Sequence, residues 1–205
     1  MQGAPAALVQ SATRLDLSRG TLLVREGQVL HSWFVLEAGA AQLSCTGRSG
    51  RTATLAILGP GDTLSPGGRG ALAPEVRAVT SSVVLRFSSA DLDRVAEQHP
   101  ELTAWVQCAL ERQVDSLRRS LVRTLSLHVQ GRVLELMGDL AARHGQSVPG
   151  GVRIGVPLAQ ETVASLVGAT RESVNRSIRA LEAGGVIRRS SRCYVLLDQP
   201  RSRNR

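Results

Sequence analysis

The segment from Leu158 to Leu181, LAQETVASLVGATRESVNRSIRAL, constrains the fold more than any other, because two short amphipathic runs meet at a single glycine. Val163, Leu166 and Val167 form one apolar face, and Val174, Ile178 and Leu181 form another. Ala164 is small where two helices must cross closely, and Gly168 tolerates the positive φ that ends a first helix. Thr170 is a side-chain acceptor placed to cap a second one. The pattern predicts a helix-turn-helix. Arg171, Glu172 and Arg176 then lie on one side near the N-terminal end of the second helix, where a helix in the major groove presents side chains to base edges. A guanidinium matches guanine O6 and N7 and a carboxylate accepts from cytosine N4, so this set favours G·C steps. The simpler alternative makes Glu172 and Arg176 an i,i+4 surface pair worth a few tenths of a kcal/mol.

The residues beyond this helix decide between the two. Ala183-Gly184-Gly185 ends it, and Val186-Ile187 and Cys193 to Leu197 read as two short strands around the turn Arg188 to Arg192. That is a wing with arginines at its tip. The chain carries a net charge of +8, and residues 171–205 hold nine arginines against Glu172, Glu182 and Asp198. Arg179, Arg188, Arg189 and Arg192 are therefore expected on DNA phosphates, with binding that weakens steeply as salt rises. All 25 basic residues are arginine, a bias assigned to a GC-rich genome rather than to function.

Composition narrows the partner further. With 205 residues and 42% hydrophobic content the chain can bury a substantial core and has room for two modest domains. Aromatic residues make up 2%, too few for single-strand stacking platforms, so duplex DNA is the expected nucleic acid. No apolar run approaches membrane-spanning length and the N-terminus lacks a secretory pattern, so no membrane partner and a cytoplasmic location are expected. Cys45, Cys108 and Cys193, like His31, His99, His128 and His144, are scattered without ligand spacing. No metal or other cofactor is expected, and the cysteines are read as reduced thiols.

From Thr21 to Phe87 short β-prone runs alternate with turns: Thr21 to Val24, Trp33 to Glu37, Ala41 to Cys45, Thr52 to Leu58 and Val83 to Phe87. This predicts an antiparallel, jelly-roll-like β-barrel. A short helix capped by Ser88 or Ser89 should run through Glu97, and Pro100 interrupts it. Beyond it, Leu110, Val114, Leu117, Leu121 and then Thr124 or Leu125 recur at the period of a coiled-coil seam, flanked by arginines 112, 118, 119 and 123. A helix packing this seam on its own barrel is the alternative to a dimer. Homodimerisation would set two recognition helices about 34 Å apart, one turn of DNA. The expected fold is α+β: a barrel over residues 1–100, a dimerisation helix and hinge over 101–127, and a winged helix-turn-helix over 128–205.

This order, with the segments LVGATRESVNRSIRALEAGGVIRR and VQGRVLELMGDLA, resembles the CRP/FNR family of bacterial transcription regulators over about residues 20 to 198. The resemblance implies that Arg171, Glu172 and Arg176 read bases in a TGTGA-like half-site and that Thr170 and Ser173 sit on phosphates. It also places a hinge at Leu127-His128 and, in activators, a contact with RNA polymerase near the loop Gln146 to Arg153. The chain departs from the cyclic-AMP-binding branch in its barrel. Pro66 stands where a ribose-binding carboxylate is expected, and Leu72-Ala73-Pro74 where a phosphate-neutralising arginine is expected. Leu117-Arg118 replace the usual Thr-Ser of the adenine contacts. Arg69, Arg77 and Arg118 are the candidates for an effector pocket, with Arg77 favoured as a plain strand arginine. The expectation is a non-enzymatic regulator acting without cyclic AMP. The alternatives are a sensor of another effector and a DNA-acting enzyme, for which Asp16, Glu26, Asp62 and Glu75 offer no clustered carboxylates.

Overall fold

The computed structural model describes residues 6–48, 50, 52–65, 73–190 and 193–198. The chain folds as two compact units, 1–118 and 119–205.

In the first unit β1 (Thr13–Leu17), β8 (Ser82–Ser88), β3 (Ser32–Ala38) and β6 (Thr63–Leu64) form one sheet in that order. The second sheet runs β2 (Leu22–Val24), β7 (Glu75–Ala78), β4 (Ala41–Thr46) and β5 (Thr52–Leu58). All registered pairs are antiparallel. The alternation of strand side chains explains why β3 is apolar on consecutive residues. Phe34 and Leu36 join Val24, Ala41, Val76 and Val84 in the barrel core. Val35 faces the other way, into a second core with Leu85, Phe87, Leu92, Leu102 and Trp105.

That outer core is covered by α1 (Ala6–Ser11), α2 (Ser89–Gln98) and the start of α3 (Glu101–Ser126). Ser88 caps α2 in a capping box with Asp91, whose carboxyl is held below the usual range chiefly by the Ser88 hydroxyl and amide. At the β3–β4 turn Gly39 has φ 85°, and a Cβ there would strike the Ser81 carbonyl.

The second unit is built on α4 (Val129–His144), whose Val133, Leu136, Met137, Leu140 and Ala141 are buried. Around it stand α5 (Gln160–Val167), α6 (Arg171–Ala183) and a sheet ordered β11 (Ile187–Ser190), β12 (Cys193–Leu197), β10 (Gly151–Ile154) and β9 (Gly145–Val148). The stretch 146–153, expected as a loop, is therefore mostly a hairpin. Gly145 to Val148 pair with Ile154 to Gly151 across a Pro149-Gly150 turn. No helix among the described residues is long and apolar enough to cross a membrane.

Candidate nucleic-acid interface

The geometry of the turn follows from three residues. Gly168 ends α5 in the left-handed region, at φ 61° and ψ 50°, and the Ala169 amide donates back to the Ala164 carbonyl at 3.0 Å. The chain then turns, and Thr170 starts α6 by accepting the Ser173 amide on its hydroxyl at 3.3 Å. The Thr170 hydroxyl itself donates to Ser173 Oγ at 3.1 Å, which leaves the Ser173 proton as the one available to a neighbour.

α6 buries Val174, Ile178 and Leu181 against its own unit, each contributing about 1.5–3 kcal/mol for full burial of the side chain. The opposite face exposes Arg171, Glu172, Arg176 and Arg179. Among the described residues none of these four makes an ion pair, so Glu172 and Arg176 do not form the i,i+4 pair that was the simpler alternative. Two guanidinium groups and a carboxylate thus stand free near the positive end of a helix.

The wing departs from its sequence reading. Arg188 and Arg189 do not sit at the tip: both belong to β11, opposite Val195 and Tyr194. A strand pleat sends successive side chains to opposite faces, so only one of the two can serve any given surface. Arg189 is occupied within its own unit, 3.6 Å from Glu182 and 6.0 Å from the centre of the Tyr194 ring. Burial pushes the Tyr194 phenol up, and Arg189 opposes it. Arg188 is exposed, and Arg192 lies outside the described residues.

Arg132, which the sequence reading did not single out, and Arg123, read there only as a flank of the seam, fix the frame behind the turn. Arg132 donates from Nε to the Leu127 carbonyl at 2.8 Å and from its terminal nitrogen to the Val167 carbonyl at 3.1 Å. It thereby satisfies free carbonyls at the end of α5 and just beyond α3. Arg123 is buried and pairs with Asp139 of α4 at 2.7 Å. Asn175, four residues after Arg171, was not singled out either and is partly exposed on α6.

Of the proposed dimer seam, Leu110, Val114, Leu117, Leu121 and Leu125 are all exposed, Leu125 at 77%. Such a row of large apolar groups is left without a covering surface in the single chain.

Of the three candidates for an effector pocket, two lie within the described residues. Arg77 alternates with inward Val76 and Ala78, so it points outward, where it pairs with Glu75 at 3.0 Å and donates to the Gly20 carbonyl. Arg118 pairs with Asp115 on the surface of α3. Arg69 and Pro66 lie outside the described residues. Among the described residues the buried polar groups of the barrel are hydroxyls, Ser44, Thr54, Thr63 and Ser82, and none is a cation able to neutralise a phosphate. Gln113 of α3 donates to the Thr63 carbonyl at 2.7 Å and hydroxyl at 3.0 Å, which ties the helix to β6.

Comparison with known proteins agrees with this architecture. The chain matches the model of the cyclic nucleotide-binding domain over residues 14–99 and that of the Crp-like helix-turn-helix domain over residues 131–201. It is 27% identical over 199 residues to a CRP-like cAMP-activated global transcriptional regulator of Mycobacterium tuberculosis, covering 96% of this chain and 89% of that protein. It is 23% identical to the transcriptional activator protein FnrL of Cereibacter sphaeroides, covering 94% of this chain and 79% of FnrL. Among solved structures, FixK2 from Bradyrhizobium japonicum shares the fold with a TM-score of 0.78 at 16% identity, covering 91% of this chain and 93% of FixK2. The c-di-GMP responsive regulator CLP of Xanthomonas campestris does so with a TM-score of 0.75 at 18% identity, covering 94% of this chain and 97% of CLP. With both matched domains in this order and on these elements, the chain belongs to the CRP/FNR family of DNA-binding transcription regulators.

Proposed function

We propose that the protein acts as a homodimer that recognises a palindromic, TGTGA-like site in double-stranded DNA without cyclic AMP. The observation that carries this reading is the exposed, unpaired set Arg171, Glu172 and Arg176 on a capped α6 packed through Val174, Ile178 and Leu181. Ser173, Thr170, Arg179 and Arg188 flank that set as phosphate partners, with Arg189 a weaker one because it is already engaged. The exposed seam of α3 is the dimer contact. Independence from cyclic AMP is supported by the outward Arg77 and by Pro66 and Leu72-Ala73-Pro74 in the sequence where the cyclic-AMP-binding branch carries its ribose and phosphate partners. Occupancy of the site is then set by how much protein is present, since a DNA-competent state that already dominates needs no ligand to select it. The site of action is the cytoplasm, and in an activating role RNA polymerase is the further partner.

The test is fluorescence anisotropy on a TGTGA-spacer-TCACA duplex and a scrambled duplex, at fixed near-physiological salt without nucleotide. Preference for the palindrome by about 10³-fold or more is expected. Arg171→Ala should lose that preference and keep salt-sensitive unspecific binding. Equal wild-type binding to both duplexes would refute effector independence or the half-site, and retained preference in the mutant would refute the role of Arg171.

A further inference from the structure

On a helix advancing about 100° per residue, Arg171, Glu172, Arg176 and Arg179 fall within an arc of about 140°. Asn175 falls inside that arc, about 40° from Arg171 and about 60° from Glu172. It is partly exposed, unlike Val174 and Ile178 on the packed side. One hydrogen bond holds it: Gln160 Nε2, from the first residue of α5, donates to Asn175 Oδ1 at 3.4 Å. A carboxamide is planar, with oxygen and nitrogen on opposite branches. With the oxygen taken by Gln160, the NH2 group is the branch left free for a neighbour.

We propose that Asn175 is a fourth base-reading residue and that Gln160 is its positioning residue, so that Asn175 meets DNA as a hydrogen-bond donor. This rests on the placement of α6 in the major groove proposed above. A free asparagine pairs with adenine through both branches, accepting from N6 and donating to N7. An asparagine whose oxygen is engaged by Gln160 presents donors, which match guanine O6 and N7 or thymine O4. The ligand chemistry is a base offering an acceptor edge, guanine or thymine, at one step of the half-site. Gln160 contributes by orientation alone: it selects which branch of the Asn175 amide faces the base.

The experiment is selection of binding sites from a randomised duplex pool by the full-length protein and by Asn175→Ala, Gln160→Glu and Arg171→Ala, followed by anisotropy on single-step variants. The wild type is expected to prefer guanine or thymine at one step by about tenfold. Asn175→Ala should flatten that step to within about twofold and leave the other steps as they are. In Gln160→Glu the carboxylate can only accept, so it should take the Asn175 NH2 group and turn the oxygen outward. Preference at the same step should then reverse toward adenine or cytosine, whatever the added charge does to overall affinity.

An Asn175→Ala profile identical to the wild type at every step overturns the proposal. So does a uniform flattening of all steps, which would mark a structural role. A Gln160→Glu profile that keeps the guanine or thymine preference overturns the positioning by Gln160. The Arg171→Ala profile separates this from the parent reading: if it loses its own step while Asn175→Ala loses none, α6 reads the groove without Asn175. A wild-type profile flat throughout overturns both.

Discussion

Gly168 sits at φ 61°, yet a Cβ added there would meet only Thr124 Cγ2, at 3.8 Å, an ordinary contact. The cost of Gly168→Ala is therefore conformational rather than steric, about 1–2 kcal/mol for an L-residue held in the left-handed region. Urea unfolding of the protein should show this as a lower midpoint without a change of slope. A loss below about 0.3 kcal/mol would mean that the turn relaxes instead. The pair Arg123 and Asp139 poses a different problem, because the arginine side chain is 7% exposed and the aspartate 47%. Asp139→Ala strands a buried cation, and with one partner half in solvent the expected cost is about 1–3 kcal/mol. Adding Arg123→Met removes the stranded charge, so the double mutant should be more stable than Asp139→Ala alone. A double mutant less stable than that single one would show that the Arg123 stem and its packing matter more than its charge.

Among the elements, α3 carries the clearest consequence. Its seam of Leu110, Val114, Leu117, Leu121 and Leu125 is exposed, and Leu117 and Leu121 lie one turn apart at its middle. Leu117→Glu together with Leu121→Glu should shift sedimentation toward monomer and leave the far-ultraviolet helix signal intact. Dimers that persist would move the interface elsewhere. The helix and its apolar row were legible in the sequence because a 26-residue helix offers several repeats of one period. The two helices around Gly168 were legible for the same reason, with cap and stop chemistry at their ends. Short strands were not. Thr63–Leu64 is too brief for alternation to register, and Gly145–Val148 is polar enough to read as loop. Glu75–Ala78 does alternate, but it follows Pro74 and is only four residues long. The wing was found and its tip misplaced, since a run of Arg-Arg-Ser reads as turn while the register pairs it with Val195, Tyr194 and Cys193. At the site, charged residues drew the sequence reading. Arg132 escaped it because its role depends on a partner in another helix, as does the role proposed for Asn175.

At the scale of the whole molecule, the proposed homodimer turns two modest interfaces into one selective one. On the reading proposed, a single α6 offers Arg171, Glu172, Arg176 and Asn175 to a few base pairs, and each well-made contact discriminates by about 1–3 kcal/mol. Two copies held together bind the second half-site as an intramolecular step, so the discrimination multiplies only if both helices reach the same face of the duplex. Inserting 5 base pairs between the half-sites rotates one of them by about half a turn and moves it about 17 Å along the axis. With rigid two-fold pairing through α3, affinity for such a duplex should fall to that of an isolated half-site. A full additional turn restores the face but doubles the distance, so it should recover little. Unaltered affinity for the 5-base-pair insertion would mean that the copies reading the DNA are not rigidly coupled, and recovery at the full-turn insertion would mean a flexible link between them. Full loss at both insertions would tie the recognition by α6 to one fixed dimer geometry, in which the seam of α3 fixes the spacing that the DNA must match.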